Sequence, residues 1–301
     1  MTVSSPLPGT PLAASFPRET GHSLNALSRN RKRVVLTGAS GGIGILIAKR
    51  LLALDYQVIA LCRSAPPIEH DGFMHLPCDL GSPDALDKAS ALIGESREPV
   101  FAVIHCAGTI APSPVAQTDE RAIADQIALN LSAPVLLTRL MLPLMQTVDG
   151  PEKSRIVFVN SMAAVMPLAD SAVYAAAKAG LRSFALSLAQ EIRPRGILVS
   201  SVFPGAVQTD MLIREMQQGG SMLNYVSTPL DPDLVAKAVT DQLTRHREER
   251  FLPAIDAFSG GSACWHPACY GSPCRCSAFL GGAAIARPWG VEAAQGVITR
   301  N

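Results

Sequence analysis

Aromatic side chains are scarce in this chain: Phe, Trp and Tyr make up 5% of its 301 residues, against 48% for all apolar residues. A chain of this length can bury a sizeable core, and here aliphatic side chains and alanine must build it. Charge is scarce as well. Asp, Glu, Lys and Arg amount to 17%, with a formal net charge of +1, so no basic excess speaks for a nucleic-acid or anionic-membrane partner. Long uncharged apolar runs are also missing. The stretch 131–145 comes nearest to one, and Arg139 interrupts it, so no membrane span is expected.

A paired set of cysteines is absent too, since the count is seven. Cys62, Cys78 and Cys106 each close an apolar run, where a free buried thiol is the ordinary outcome. No disulfide framework is expected, and a reducing, cytoplasmic setting fits. Residues 1–30 lack the apolar segment of a secretory signal and carry a single acid, Glu19. Residues 1–31 therefore read as a disordered leader. The alternative, an organelle transit peptide, rests on Arg18, Arg29, Arg31, Lys32 and Arg33.

From Arg33 onward, short β-rich apolar runs at 34–37, 58–62, 73–78, 100–106, 156–160 and 197–203 alternate with helical patterns at 42–54, 83–95, 119–147, 170–192 and 231–246. Near-continuous apolarity marks strands buried on both faces. The alternation predicts an α/β fold: a Rossmann-like, doubly wound parallel sheet with helices on both faces, in one domain over 32–258. Pro134 should break or kink the third helix. The segment 63–72 contains Pro66 and Pro67 and is too short for a crossover helix, so a loop is expected. Residues 259–301 change character: only Arg275, Arg287, Glu292 and Arg300 are charged, yet four of the seven cysteines lie there. A poorly ordered tail is the reading. Cys264, His266, Cys269, Cys274 and Cys276 match no zinc spacing, and no metal is expected.

Between the first strand and first helix lies Thr37-Gly38-Ala39-Ser40-Gly41-Gly42-Ile43-Gly44. Glycines in this context let the backbone approach a phosphate, and the helix N-terminus offers free N–H groups to it. The second strand ends Cys62-Arg63 with no carboxylate to bind a ribose 2′-hydroxyl. Arg63 can instead pair with the 2′-phosphate of NADP, with Ser40 adding a hydrogen bond, so NADP is favoured over NAD. An Arg63 turned toward solvent is the competing reading. Asp79 and Leu80 close the third strand near the adenine, and His105-Cys106-Ala107-Gly108 closes the fourth. His105, in an apolar strand, reads as structural. Further along, Tyr174 and Lys178 stand at i and i+4 on one helix face, with Ser161 thirteen residues before Tyr174. A Lys ammonium beside the phenol is expected to lower the Tyr174 pKa toward neutrality, which suits acid/base work.

In order and spacing, Gly38, Gly42 and Gly44, Asp79, Ala107-Gly108, Asn130, Ser161, Tyr174, Lys178, Pro204-Gly205 and Thr209 resemble the classical branch of the short-chain dehydrogenase/reductase family, over about residues 32–258. The resemblance implies an oxidoreductase that interconverts a carbonyl and a secondary alcohol with a nicotinamide dinucleotide. Ser161 would polarise the substrate carbonyl, Tyr174 deliver the proton, Lys178 hold the nicotinamide ribose, and Asn130 bind a relay water. Pro204, Gly205 and Thr209 would shape the nicotinamide pocket, and Gly38, Ser40, Gly42, Ile43, Gly44, Arg63, Asp79, Leu80, Ala107 and Gly108 would hold the rest of the dinucleotide, in contact also with Tyr174 and Lys178. Plainer roles stay open: a helix kink for Asn130 and a strand-end cap for Ser161. His105-Cys106 departs from the paired Asn usual in the family. The rival to an enzyme is a non-catalytic dinucleotide sensor or scaffold. Stretches 162–170 and 206–230, both expected to be loops, are rich in Met and Leu and point to a lipophilic carbonyl or alcohol substrate. The family usually forms dimers or tetramers through the helices here placed at 119–147 and 170–192, so a homodimer or homotetramer is expected.

Overall fold

A computed structural model of the chain describes residues 31–145, 153–218 and 228–253. The expectations placed on the leader before residue 31 and on the cysteine-bearing tail lie outside these residues. Seven strands form one parallel sheet: β1 (Arg33–Thr37), β2 (Gln57–Cys62), β3 (Phe73–Pro77), β4 (Val100–His105), β5 (Ser154–Val159), β6 (Ile197–Pro204) and β7 (Glu249–Leu252). Their spatial order is β3-β2-β1-β4-β5-β6-β7, with Val34 opposite Val58 on one side and Ala102 on the other. Every residue of β1, β2, β4 and β5 is buried, which explains their unbroken apolar sequence.

The helices are α1 (Gly42–Ala53), α2 (Pro83–Glu95), α3 (Glu120–Ile127), α4 (Ala133–Met141), α5 (Ala172–Ile192), α6 (Asp210–Gln217) and α7 (Pro232–Asp241). The strand pleat divides the core in two. Val34, Leu36, Val58 and Ala60 face Ile47 and Leu51 of α1 and Val235 and Val239 of α7. Val35, Ile59 and Leu61 face Leu86 and Ile93 of α2, Leu137 and Met141 of α4 and Leu181 and Leu188 of α5. This is the doubly wound arrangement that the alternating pattern predicts. Arg50 Nε donates to Asp233 at 2.9 Å and ties α1 to α7. Buried Arg33 donates to the carbonyls of Glu98 and Ile93, serving the C-terminal end of α2.

The stretch 119–147 departs from a single helix. α3 ends at Ile127, a π turn follows over Ala128–Ser132, α4 begins at Ala133 and a 3-10 turn covers Leu142–Leu144. Pro134 has no N–H to return to the Asn130 carbonyl, so an α-helical ladder cannot pass this point, and one wider turn absorbs the defect. By length and composition the run Glu120–Leu144 could cross a membrane. Its Ala133, Leu137 and Met141 are instead buried in the core beneath the sheet. Residues 63–72 form a loop, as Pro66 and Pro67 require.

Candidate active site

The strand order reverses between β1 and β4, which opens a crevice at the C-terminal ends of these strands. Thr37, the last residue of β1, holds the crevice floor together: its Oγ1 accepts from the N–H groups of Cys106 (3.0 Å) and Ala107 (3.1 Å). The chain then turns through Gly38 at φ 73, a left-handed conformation. A Cβ there would lie 2.8 Å from the Ala107 backbone. One on Gly44 would strike the carbonyl oxygen of Gly38. Gly38 is thus required by its left-handed backbone and by close approach, and Gly44 by close approach alone.

The residues here fit a dinucleotide pyrophosphate. α2, α3, α6 and α7 each start with a side-chain cap (Ser82, Asp119, Thr209 and Asp231) and carry an acid in the first turn. α1 starts at Gly41 with neither. Its first N–H groups and positive dipole end are left for an anion. Ser40, Gly42 and Arg63 are exposed at this end of the sheet, and Ile43 is half-buried. The Cys62 thiol meets Ser40 and lies 3.2 Å from the carbonyl of Ser64. Asp79 is exposed and accepts from Gly81 N–H at 3.1 Å, while Leu80 is buried. Across the turn, the Thr209 methyl is 3.0 Å from where a Gly42 Cβ would stand. The hydroxyl of Thr209 donates to Val207 and caps α6, and Gly205 N–H donates to Leu252 at 2.8 Å.

Deeper in the crevice the predicted catalytic residues converge. Ser161 leaves β5 at the edge shared with β6, where Asn160 N–H donates to Val202 at 2.8 Å. Its hydroxyl accepts from Ala163 N–H at 3.1 Å and stands near enough to Tyr174 to act on its ionisation. One turn along α5, the Lys178 ammonium donates to the Val159 carbonyl at 3.1 Å and lies 5.8 Å from the Tyr174 ring centre. Asn130, fully buried in the π turn, donates to the carbonyls of Thr109 and Gln126 and accepts from Thr109 N–H. A Cβ on Gly108 would come within 2.9 Å of Asn130 Oδ1 and 3.7 Å of Lys178 Nζ, so this glycine joins the two groups. His105 is structural: Nε2 pairs with Thr138 Oγ1 at 3.0 Å, the ring stacks on Phe158, and burial pulls its pKa down to about 3.

The electrostatics correct one expectation. Tyr174 is pushed up to about 12, not down toward neutrality. Burial is the main cause, the neighbouring Ser161 hydroxyl opposes it, and the charge of Glu215 adds to it. Burial also pulls Lys178 down to about 8, with the Cys106 thiol working the other way. The same burial lifts Cys106 to about 12. The i and i+4 spacing brings Lys178 beside the Tyr174 ring, with one of its three N–H donors on the Val159 carbonyl. Two contributors escaped the sequence reading. Thr37 opens the glycine-rich motif, but its hydroxyl's grip on the backbone after β4 was not foreseen. Glu215 shares the buried face of α6 with Leu212, and its only signal was a carboxylate at an apolar helical position.

The expected loop at 206–230 instead contains α6, because Thr209 caps a helical turn there; of the residues expected to line the substrate end, Leu212 is buried, Met162, Met166, Leu168 and Met216 are half-buried, and Val165, Met211 and Ile213 are exposed. Met222, Leu223 and Tyr225 lie outside the described residues.

A family model for short chain dehydrogenases matches residues 32–219. The 3-oxoacyl-[acyl-carrier-protein] reductase MabA of Mycobacterium avium is 30% identical over 194 residues, which cover 64% of this chain and 74% of the relative. The L-xylulose reductase of Caenorhabditis elegans is 31% identical over 186 residues, covering 60% and 73%. Among solved structures, a short-chain dehydrogenase from Streptomyces avermitilis superposes with a TM-score of 0.63 at 25% identity, covering 75% of this chain and 88% of that one. ElxO with NADP bound gives 0.65 at 18% identity, covering 73% and 96%, and speaks for the fold alone. The chain belongs to the short-chain dehydrogenase family and is an NAD(P)-dependent oxidoreductase.

Proposed function

We propose that the chain is an NADP-dependent reductase of a lipophilic carbonyl compound, also able to run the reverse alcohol oxidation, with Ser161, Tyr174, Lys178 and Asn130 as its working residues. The observation that carries this reading is the convergence of Ser161 on Tyr174, with the Lys178 ammonium one helical turn away and 5.8 Å from the Tyr174 ring centre. When bound, the dinucleotide supplies the hydride. Ser161 and Tyr174 present two hydroxyls to one substrate oxygen, and Tyr174 passes it a proton as charge develops there. A phenol held at about 12 is protonated at neutral pH and so stands ready as a donor. Lys178 orients ribose hydroxyls and keeps positive charge near the phenol. Asn130 keeps the end of β4 against the π turn.

Arg63 and Ser40 would hold the 2′-phosphate that distinguishes NADP. The half-buried methionines flanking the Ser161–Tyr174 pair support an apolar substrate. Ala172, Ala176 and Ala179 are exposed along α5, and small side chains there suit a two-fold contact between copies. A homodimer or homotetramer in a reducing, cytoplasmic setting completes the reading, with a catalytic domain over 32–258.

The test is turnover of NADPH and NADH by the full chain against a panel of 3-oxo esters, aromatic ketones, steroids and sugars. NADPH-driven reduction of apolar members is the expected result. Tight NADPH binding with no turnover on any carbonyl would instead favour a dinucleotide sensor or scaffold.

A further inference from the structure

The loop after β4 carries prolines at alternate positions, Ile110-Ala111-Pro112-Ser113-Pro114. A residue before proline is driven to extended backbone, so Ala111 and Ser113 keep this loop drawn out. Proline has no N–H, and the loop is held through the residues between. Thr109 N–H donates to Asn130 Oδ1 at 3.2 Å, Ala111 N–H to Gln126 Oε1 at 3.1 Å, and Ser113 N–H to the Asp170 carbonyl at 2.7 Å. The same two amides also donate back. Asn130 Nδ2 reaches the Thr109 carbonyl at 2.8 Å, and Gln126 Nε2 reaches the Ala111 carbonyl at a looser 3.5 Å. Gln126 and Asn130 stand four residues apart where α3 runs into the π turn, about 6 Å of helical rise. Two residues of extended chain span about 6.6 Å. The spacings match, so the two side chains serve the loop as a neighbouring strand would.

Gln126 is the one residue that α3 buries, at 2% exposure. A helix that packs by hydrophobic burial places an aliphatic side chain at such a position. Here an amide stands there, and both its ends address Ala111. The loop it grips is tied to the chain on both sides of Tyr174. At the near end, a Cβ on Gly108 would come 3.7 Å from Nζ of Lys178, which lies four residues after Tyr174. At the far end, Ser113 holds Asp170, four residues before Tyr174. Asp170 is left-handed, at φ 58, and leads through buried Ser171 into α5. α3 itself packs on α5. Residues 109–113 are all half-buried along this side of the crevice.

We infer that Gln126 is a positioning residue for substrate selection: by fixing Ala111 it sets where the middle of the 109–113 loop stands beside Tyr174, and so which carbonyl compounds fit there. The inference rests on the reaction proposed above. Asn130 and Asp170 hold the two ends of the loop, and Gln126 holds its centre. Without Gln126 the ends stay anchored and the centre can bow, which changes the shape of the cleft.

The experiment compares the full-length wild type with Gln126→Leu, which fills the same space and makes no hydrogen bond. Its first arm is hydrogen exchange followed by mass spectrometry on peptides covering 107–114, where Pro112 and Pro114 contribute no amide. Exchange there should quicken by about tenfold in Gln126→Leu, the loss of about one net hydrogen bond. Gln126→Glu, which keeps an acceptor for Ala111 N–H, should restore part of the protection. Gln126→Met serves if the Leu variant does not fold. The second arm measures kcat/KM over the carbonyl panel and the NADPH dissociation constant. The ratio between the best and worst substrates of the wild type should shrink by about tenfold in Gln126→Leu. Loop protection equal to wild type overturns the inference. So does a loss shared equally by every substrate and by NADPH affinity, which is what a merely structural role gives. A wild type that turns over no carbonyl refutes the proposed reaction instead, and the exchange arm, which needs no substrate, then still decides whether Gln126 holds the loop.

Discussion

Asn130 grips both backbone groups of Thr109: its Oδ1 accepts from the Thr109 N–H at 3.2 Å, and its Nδ2 donates to the Thr109 carbonyl at 2.8 Å. The second amide hydrogen goes to Gln126 O at 2.9 Å. One side chain thus pins the loop after β4 to the π turn, directly under Gly108 and beside Lys178. Asn130→Ala would leave three backbone groups without this partner in a buried place. Each orphaned group costs about 1–3 kcal/mol, less where water enters. The expected outcome is a lower denaturant midpoint at unchanged m-value, together with reduced turnover. Asn130→Asp should recover only part of the stability, because it restores the acceptor and not the donors.

Tyr174→Phe removes the hydroxyl that meets Ser161 while leaving the ring over Lys178. Turnover should fall by at least about 10²-fold, the range of a general acid. Dinucleotide affinity, measured by fluorescence titration, should hardly change. Near-normal turnover in the purified variant would remove Tyr174 from the chemistry.

Lys178 gives the site its accessible pH dependence. Burial disfavours the charged ammonium, so its pKa lies below the ordinary lysine value, at about 8. In the free enzyme the positive charge is present below that pH and lost as pH rises through it. kcat/KM for carbonyl reduction should therefore decline above about pH 8, because this parameter reports groups of the free enzyme. Tyr174, held near 12, contributes no limb in that range. A profile flat to pH 10 would mean that Lys178 keeps its proton despite its burial.

The sheet was legible because both its faces are covered. Burial of Val34, Val35 and Leu36 alike leaves no polar side to the strand, and this signal survives in sequence alone. Tyr174 and Lys178 were legible because helical spacing fixes their common face. The form of the break at Pro134 was not, since a missing N–H announces a defect without saying whether a kink, a bulge or a wide turn absorbs it. The direction of the Tyr174 shift was hidden for a different reason. Burial at this site is built by elements remote in sequence, and the competing carboxylate belongs to α6. Spacing placed Lys178 near the ring but could not show that Val159 takes its hydrogen bond.

Gly44 allows a direct test of the cofactor turn. A methyl there would meet the Gly38 carbonyl, and backbone atoms cannot step aside cheaply. Gly44→Ala should cost about 1–3 kcal/mol through overpacking. It should also weaken NADPH binding more than it alters the fold, if the displaced Gly38–Gly44 turn holds the pyrophosphate as proposed. Far-ultraviolet circular dichroism and a binding titration on the same sample separate the two effects.

The proposed preference for NADP over NAD rests on Arg63. It follows β2 at the strand end where a carboxylate would serve the 2′-hydroxyl of NAD, and it is exposed there beside Ser40 and Cys62. If it pairs with the 2′-phosphate, Arg63→Ala removes one charge-assisted contact, about 1.5–3 kcal/mol or roughly ten- to a hundred-fold. The loss should appear in KM for NADPH and spare KM for NADH, which has no phosphate to lose. Raising the salt concentration should weaken NADPH binding to the wild type and leave the variant less affected, since an exposed pair is screened. A wild type that prefers NADH, or a variant that weakens both cofactors equally, would assign Arg63 to the solvated surface and leave the cofactor choice to the backbone of the turn.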